Sequence, residues 1–207
     1  MQIFWYGESC FKIQNKERTI LIDPLSSKKA GLRGPNLKAD LLFLTSEEEE
    51  KEIKGKISEE CFLISGPGEY EVKGVFVQGV SLGEKVIYRL LFEEINFGFL
   101  DQTEKMLDDE EIEKLGLIEV LFLPVGGQGV LEAEKAEKVL NLIEPKIIIP
   151  HSFKIEGLKI SRDPLEKFLK KLDKKEVEPQ DKLSLNKNDL RKDSFKEEVV
   201  ILKPKTL

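Results

Sequence analysis

Apolar and polar positions alternate from the first residues of the chain. Ile3, Trp5 and the run from Cys10 to Ile13 alternate around Gly7, and a second apolar run, Thr19 to Ile22, stops at Asp23-Pro24. A period of two broken by turn residues predicts a β-hairpin start. Leu41 to Leu44 and Cys61 to Ile64 are short enough and apolar enough to be buried strands, and Val72 to Val80 predicts a longer strand. Val86 to Phe92 and Ile95 to Leu100 predict two more, separated by Glu93-Glu94. The period then changes. Asp109 to Leu115 is the first good helical pattern, and Val120 to Leu123, Ala133 to Ile143 and Lys146 to Ile149 read as strand, helix and strand. Pro124 and Pro150 close those two strands. Pro164 to Leu172 predicts a short amphipathic helix, Lys182 to Leu185 a weak strand and Glu198 to Leu202 a last one.

No linker-like stretch and no fixed-period repeat interrupts the series, so the expectation is one domain over residues 1–207. The 207 residues suffice to bury a sizeable core. With 40% hydrophobic and 35% charged residues, a disordered chain is excluded and a heavily charged surface is expected. The net charge of −6 gives no overall field for nucleic acid or an anionic membrane. No apolar run approaches the length of a bilayer span, and the start of the chain has no signal-peptide pattern; the expected location is cytoplasmic. Cys10 and Cys61 have no CxxC spacing and are expected to be reduced core thiols.

Four segments occur in order at informative spacings: Phe4-Trp5-Tyr6-Gly7-Glu8-Ser9-Cys10-Phe11, Ile20-Leu21-Ile22-Asp23-Pro24, Ala39-Asp40-Leu41-Leu42-Phe43-Leu44-Thr45 and Ile147-Ile148-Ile149-Pro150. Each alone is ordinary turn grammar. Together they resemble the metallo-β-lactamase superfamily, and Gly66 to Val75 and Leu123-Pro124-Val125-Gly126-Gly127 resemble its UlaG-like branch of small metal-dependent hydrolases. The resemblance covers nearly the whole chain. It implies an α/β fold, an αββα sandwich in which two mixed β-sheets face each other with helices outside.

The resemblance also implies where chemistry would sit. In the family, the strand matching Leu41 to Thr45 runs into a His-x-His-x-Asp-His loop that holds one or two divalent metals. Here Ser46 and Glu48 stand at the first two His positions, Glu50 at the Asp position and Lys51 at the last His position. A protonated Lys offers no lone pair and adds positive charge. A further His normally lies on a loop after the strand matching Val75 to Val80, but Val80-Ser81-Leu82-Gly83-Glu84 turns straight into the next strand. Asp101 matches the bridging Asp, and Ser152 matches the last metal His, with His151 one residue earlier. His151 is the only His of the chain.

Zinc enzymes generally use three His-rich protein ligands and leave a position for water. A site of Glu48, Glu50 and Asp101 would be all-oxygen and suit Mg, Ca or Mn better than Zn. The bland alternatives are a solvated acidic loop for Glu47 to Glu50, a turn residue for Asp101 and a hydrogen-bonded core residue for His151. Glu8 could supply a further oxygen, since the family often has His or Gln facing the metal pocket from its turn. Asp23 reads as structural, its carboxylate receiving N–H groups of a nearby turn. Gly126-Gly127-Gln128-Gly129 could cradle an anion but lacks the Lys and Ser/Thr of a P-loop. No Gly-x-Ser-x-Gly elbow is present, so no catalytic triad is expected.

These replacements lead to one expectation: a non-catalytic binding or scaffold module on the fold, without a cofactor, whose partner is a protein, a small molecule or a second copy of the chain. The alternative is a hydrolase that takes a divalent Mg, Mn or Zn ion through Glu48, Glu50 and Asp101, with His151 as a candidate base.

Overall fold

The computed structural model describes residues 1–24, 27–45, 50, 53, 55–100, 103–174, 176–192 and 196–205. The first sheet is built from β1 (Gln2–Trp5), β2 (Phe11–Gln14), β3 (Thr19–Ile22), β4 (Leu41–Phe43), β5 (Phe62–Ile64) and β12 (Leu183–Ser184), in the order β12-β1-β2-β3-β4-β5. The second contains β6 (Gly68–Val72), β7 (Val75–Leu82), β8 (Lys85–Phe92), β9 (Ile95–Phe99), β10 (Val120–Pro124), β11 (Ile147–His151) and β13 (Glu198–Val199), in the order β13-β11-β10-β9-β8-β7-β6. Both sheets are mixed: β3, β4 and β5 run parallel, as do β9, β10, β11 and β13, while the remaining neighbours are antiparallel.

Side-chain alternation decides which face each residue covers. In β3 and β4, Ile20, Ile22, Leu41 and Phe43 enter the core between the sheets. Leu21, Leu42 and Leu44 point the other way, into a second cluster with Ile53 and Cys61. Burial on both faces explains why these parallel strands read as unbroken apolar runs. Rings join the sheets at the centre, where Phe122 lies 4.5 Å from Phe11 edge-on and is stacked 4.2 Å from Phe99.

Among the described residues the helical elements are α1 (Ser27–Ala30), α2 (Asp109–Leu115), α3 (Ala133–Ile143), α4 (Glu166–Lys171) and α5 (Lys187–Leu190). α2 starts on a capping box in which the Asp108 side chain accepts from the Glu111 amide and Glu111 accepts from the Asp108 amide. Among the described residues, no helix is long and apolar enough to cross a membrane.

One expected strand is in fact two. Val72 to Val80 does not run through, because Lys73 (φ 52°) and Gly74 (φ 77°) form a two-residue turn joining β6 to β7. Two consecutive left-handed residues match the twist of a tight hairpin, and the β-branched residues on both sides masked the turn. The last strand is also shorter than Glu198 to Leu202: β13 stops at Val199, and Leu202 makes only an isolated bridge to Gln180.

Cys10 and Cys61 are both buried and are not joined in a disulfide. Alkylation in denaturant without reductant is therefore expected to label two thiols, and intact mass reads the count.

Candidate functional site

One end of the sandwich collects the strand ends that matter. β1, β3, β4 and β5 finish there in the first sheet and β9, β10 and β11 in the second, as shown by Trp5 against Phe153 at 5.0 Å and Phe11 against His151 at 5.5 Å. The chain leaves β4 through Leu44 and Thr45, whose ends are held firmly. The buried Asp23 carboxylate accepts the Thr45 amide at 2.9 Å and the Thr45 hydroxyl at 2.7 Å, so Asp23 is a fastener, as its place after β3 suggested. Tyr88 donates its hydroxyl to the Leu44 carbonyl at 2.8 Å from the opposite sheet.

Ser46, Glu48 and Lys51, which follow that strand, and Asp101, which follows β9, lie outside the described residues. Glu50 is described: its carboxylate accepts the Ser65 hydroxyl at 2.7 Å, just beyond β5 and at this same end. β7 turns straight into β8, as the sequence suggested. Leu82 pairs with Lys85 across Gly83-Glu84, and the Val86 amide donates to the Thr45 carbonyl at 3.1 Å. A two-residue turn thus stands beside the end of β4.

His151 is the last residue of β11 and is 1% exposed. Its Nε2 lies 3.1 Å from the Leu100 carbonyl, which can only accept, so Nε2 carries the proton. Nδ1, 2.9 Å from the Ser152 hydroxyl, is then the acceptor. Burial, opposed by the Leu100 hydrogen bond and reinforced by the Arg162 charge, pushes the imidazole down to about 3. The ring is neutral at neutral pH, fully engaged and edge-on against Phe11. Ser152, at the last metal position of the resemblance, is 0% exposed.

Sequence reading missed Arg162. Its Nη2 and Nε donate to Glu8 Oε2 at 2.7 and 3.1 Å, and its Nη1 donates to the Gln128 carbonyl. The pair is nearly inaccessible, with side chains 4% and 1% exposed. The two residues are 154 positions apart, so no local pattern signals their meeting. Segment 153–163 carries Arg162 across this end: the Lys159 amide donates to Ala30, and Lys154 and Asp163 are tied to each other and to Gly126 through the backbone.

The Gly126 to Gly129 loop is not an open anion cradle. The Gly129 amide donates to Glu104 Oε1 at 2.9 Å and the Gly127 amide to the Leu131 carbonyl at 3.0 Å. Gly126 has a steric role, since a Cβ there would fall 1.8 Å from the Ser152 carbonyl oxygen.

This fold and this arrangement of strand ends define an αββα sandwich of the metallo-β-lactamase kind. Residues 2–152 match the Beta-lactamase superfamily domain family, and the chain belongs to it. A UPF0173 protein of Pyrococcus furiosus is 26% identical over 204 residues, covering 86% of this chain and 93% of its own. A UPF0173 metal-dependent hydrolase of Thermoplasma acidophilum is 24% identical, with 81% of this chain and 89% of its own covered. A crystal structure from Thermotoga maritima, of a proposed Zn-dependent hydrolase of the metallo-β-lactamase superfamily, superposes with a TM-score of 0.81 at 28% identity and 98% coverage of both chains.

Proposed function

We propose that this chain serves as a binding or scaffold module built on the metallo-β-lactamase fold, and that it does not use zinc. The observation that carries the reading is His151: both nitrogens of the single imidazole are engaged by Leu100 and Ser152, and the ring is inaccessible. A zinc that ionises water near neutral pH draws on His-rich ligands with free lone pairs, and this donor set does not fit one.

The names of the relatives favour a second reading, and the comparisons by themselves support it better. The Thermoplasma relative is named a metal-dependent hydrolase and the Thermotoga structure is assigned to the Zn-dependent hydrolases, whereas the name of the Pyrococcus relative states no activity. On that reading Glu48, Glu50 and Asp101 would hold a hard cation, which would polarise a substrate and activate water.

Elemental analysis of protein purified without chelator, followed by thermal unfolding with Zn²⁺ or Mn²⁺, separates the two. The scaffold reading expects well under one metal per chain and an unchanged melting temperature. One bound equivalent, with a melting-temperature rise that disappears in Asp101→Ala, overturns it in favour of the hydrolase. A competent site at 100 times its Kd would add about 2.7 kcal/mol, which unfolding resolves easily.

A further inference from the structure

We propose that β6 is a docking edge, to which an extended segment of a partner protein, with Lys or Arg at alternate positions and apolar side chains between them, adds as a further strand of the second sheet. The inference goes beyond the reading above, since it names a class of partner, and it is independent of whether the strand-end site binds a metal.

β6 stands last in the order of the second sheet and β5 last in that of the first, and only Ser65-Gly66-Pro67 separate them, so both edge strands lie on the same side of the sandwich. The one strand paired with β6 is β7. In an antiparallel ladder every second pair of residues exchanges both hydrogen bonds, and the pair flanking a two-residue turn is one of these. Val72 and Val75 flank Lys73-Gly74, so Tyr70 with Val77 and Gly68 with Gly79 are the bonded pairs that follow. Glu69 and Glu71 fall between them, and their N–H and C=O groups point away from β7. Among the described residues none of these four groups has a hydrogen-bond partner. Such a row is a template for another strand.

The side chains decide what that strand can be. Glu69 and Glu71 are exposed and share the outer face of the sheet, Glu69 beside Gln78 and Glu71 beside Phe76. Neither is in an ion pair among the described residues. A second copy of β6 laid antiparallel about Tyr70 would set each Glu69 opposite a Glu71, an arrangement that like charges oppose. Lys or Arg at those positions is attracted instead. On the inner face the demand is apolar. Tyr70 and Val72 stand opposite Val77 and Val75 and are only partly buried against the core. The Tyr70 hydroxyl is turned to the Gly66 carbonyl at 3.0 Å, which leaves its ring as the surface to be covered. Phe62, opposite Leu41 and so also facing between the sheets, is 43% exposed on β5. Because side chains alternate along a strand, one segment can meet both demands only by alternating basic and apolar residues.

The test uses the full chain and short fluorescent peptides, read by anisotropy: an alternating Lys-Val peptide, an alternating Glu-Val peptide, and the Lys-Val peptide N-methylated along its backbone, which keeps the charge but cannot donate to a ladder. Only the first is expected to bind the wild type, and its binding should slow hydrogen exchange at the Glu69 and Glu71 amides. Glu69→Lys combined with Glu71→Lys changes two exposed residues and should leave the urea midpoint nearly unmoved. It is expected to weaken the Lys-Val peptide by about tenfold or more and to let the Glu-Val peptide bind. Absence of Lys-Val binding, binding that survives backbone methylation, or binding indifferent to the charge reversal each overturns the proposal. Self-association of the wild type that Glu69→Pro abolishes overturns it in favour of a second copy, since proline on an edge strand removes only the outward N–H. Metal content decides the scaffold reading above and has no bearing on these binding curves, so the two fail separately.

Discussion

Gly126→Ala is expected to prevent folding or to cost more than about 3 kcal/mol, the upper end for overpacking. Gly126 follows β10, and an added Cβ would meet the Ser152 carbonyl oxygen at 1.8 Å, the Ser152 carbonyl carbon at 2.9 Å and the Phe153 Cα at 3.0 Å. All three are backbone atoms, and they belong to the turn that positions His151 and Ser152. Neither side can yield. The Asp163 amide already holds the Gly126 carbonyl, and β10 and β11 are locked in parallel register up to Pro124 and His151. Gly74 is the natural control, with positive φ but nothing within 4 Å of a new Cβ; Gly74→Ala should cost only about 1–2 kcal/mol, the strain of a left-handed residue. Urea unfolding compares them. Equal midpoints for the two variants would mean that the approach of Gly126 to Ser152 is not rigid.

Acid is expected to weaken the protein through His151. In the native state the buried imidazole is protonated only near pH 3, whereas in the unfolded chain it takes a proton near its ordinary 6.5. The folded pKa is depressed, so the unfolded state binds more protons between these values. Stability from this residue is therefore complete above about pH 6.5 and is lost progressively as pH falls towards 3. At about 1.4 kcal/mol per pKa unit the loss is on the order of 5 kcal/mol. Carboxylates titrate in the same window, so the measurement is the difference between wild type and His151→Gln in urea unfolding at several pH values. The variant starts less stable, having lost packing against Phe11, but its curve should fall less steeply with acid. Parallel curves would show that His151 is not held neutral by burial.

Much of the fold was legible because its signals are local. The strands around Ile20, Leu42 and Leu121 are apolar on successive residues since both faces are covered. The start of α2 is written in Asp108 and Glu111, two residues three positions apart whose side chains each accept from the other's backbone amide. The ordered segments from Phe4 to Pro150 likewise sufficed to place the chain in its family, and the short Gly83-Glu84 turn between two strands could be read directly. The turn between β6 and β7 was less visible: Lys73-Gly74 is a two-residue interruption inside a β-branched run, and the paired left-handed conformations of those residues reverse the chain.

The candidate site divides along the same line. Sequence alone suggested which side chains match the family's metal positions, because a resemblance is read from residue identities without coordinates. It could name Ser46, Glu48, Glu50, Lys51, Asp101, His151 and Ser152, but not what any of them touches. Only the tertiary structure decided that His151 points at Leu100 and Ser152 and is neutral, since its proton affinity depends on burial and on charge arriving from a distant segment. Only the tertiary structure brought Arg162 onto Glu8. A buried ion pair between residues 154 positions apart has no periodicity and no motif, and it exists because two sheets and a crossing segment close on the same end of the molecule.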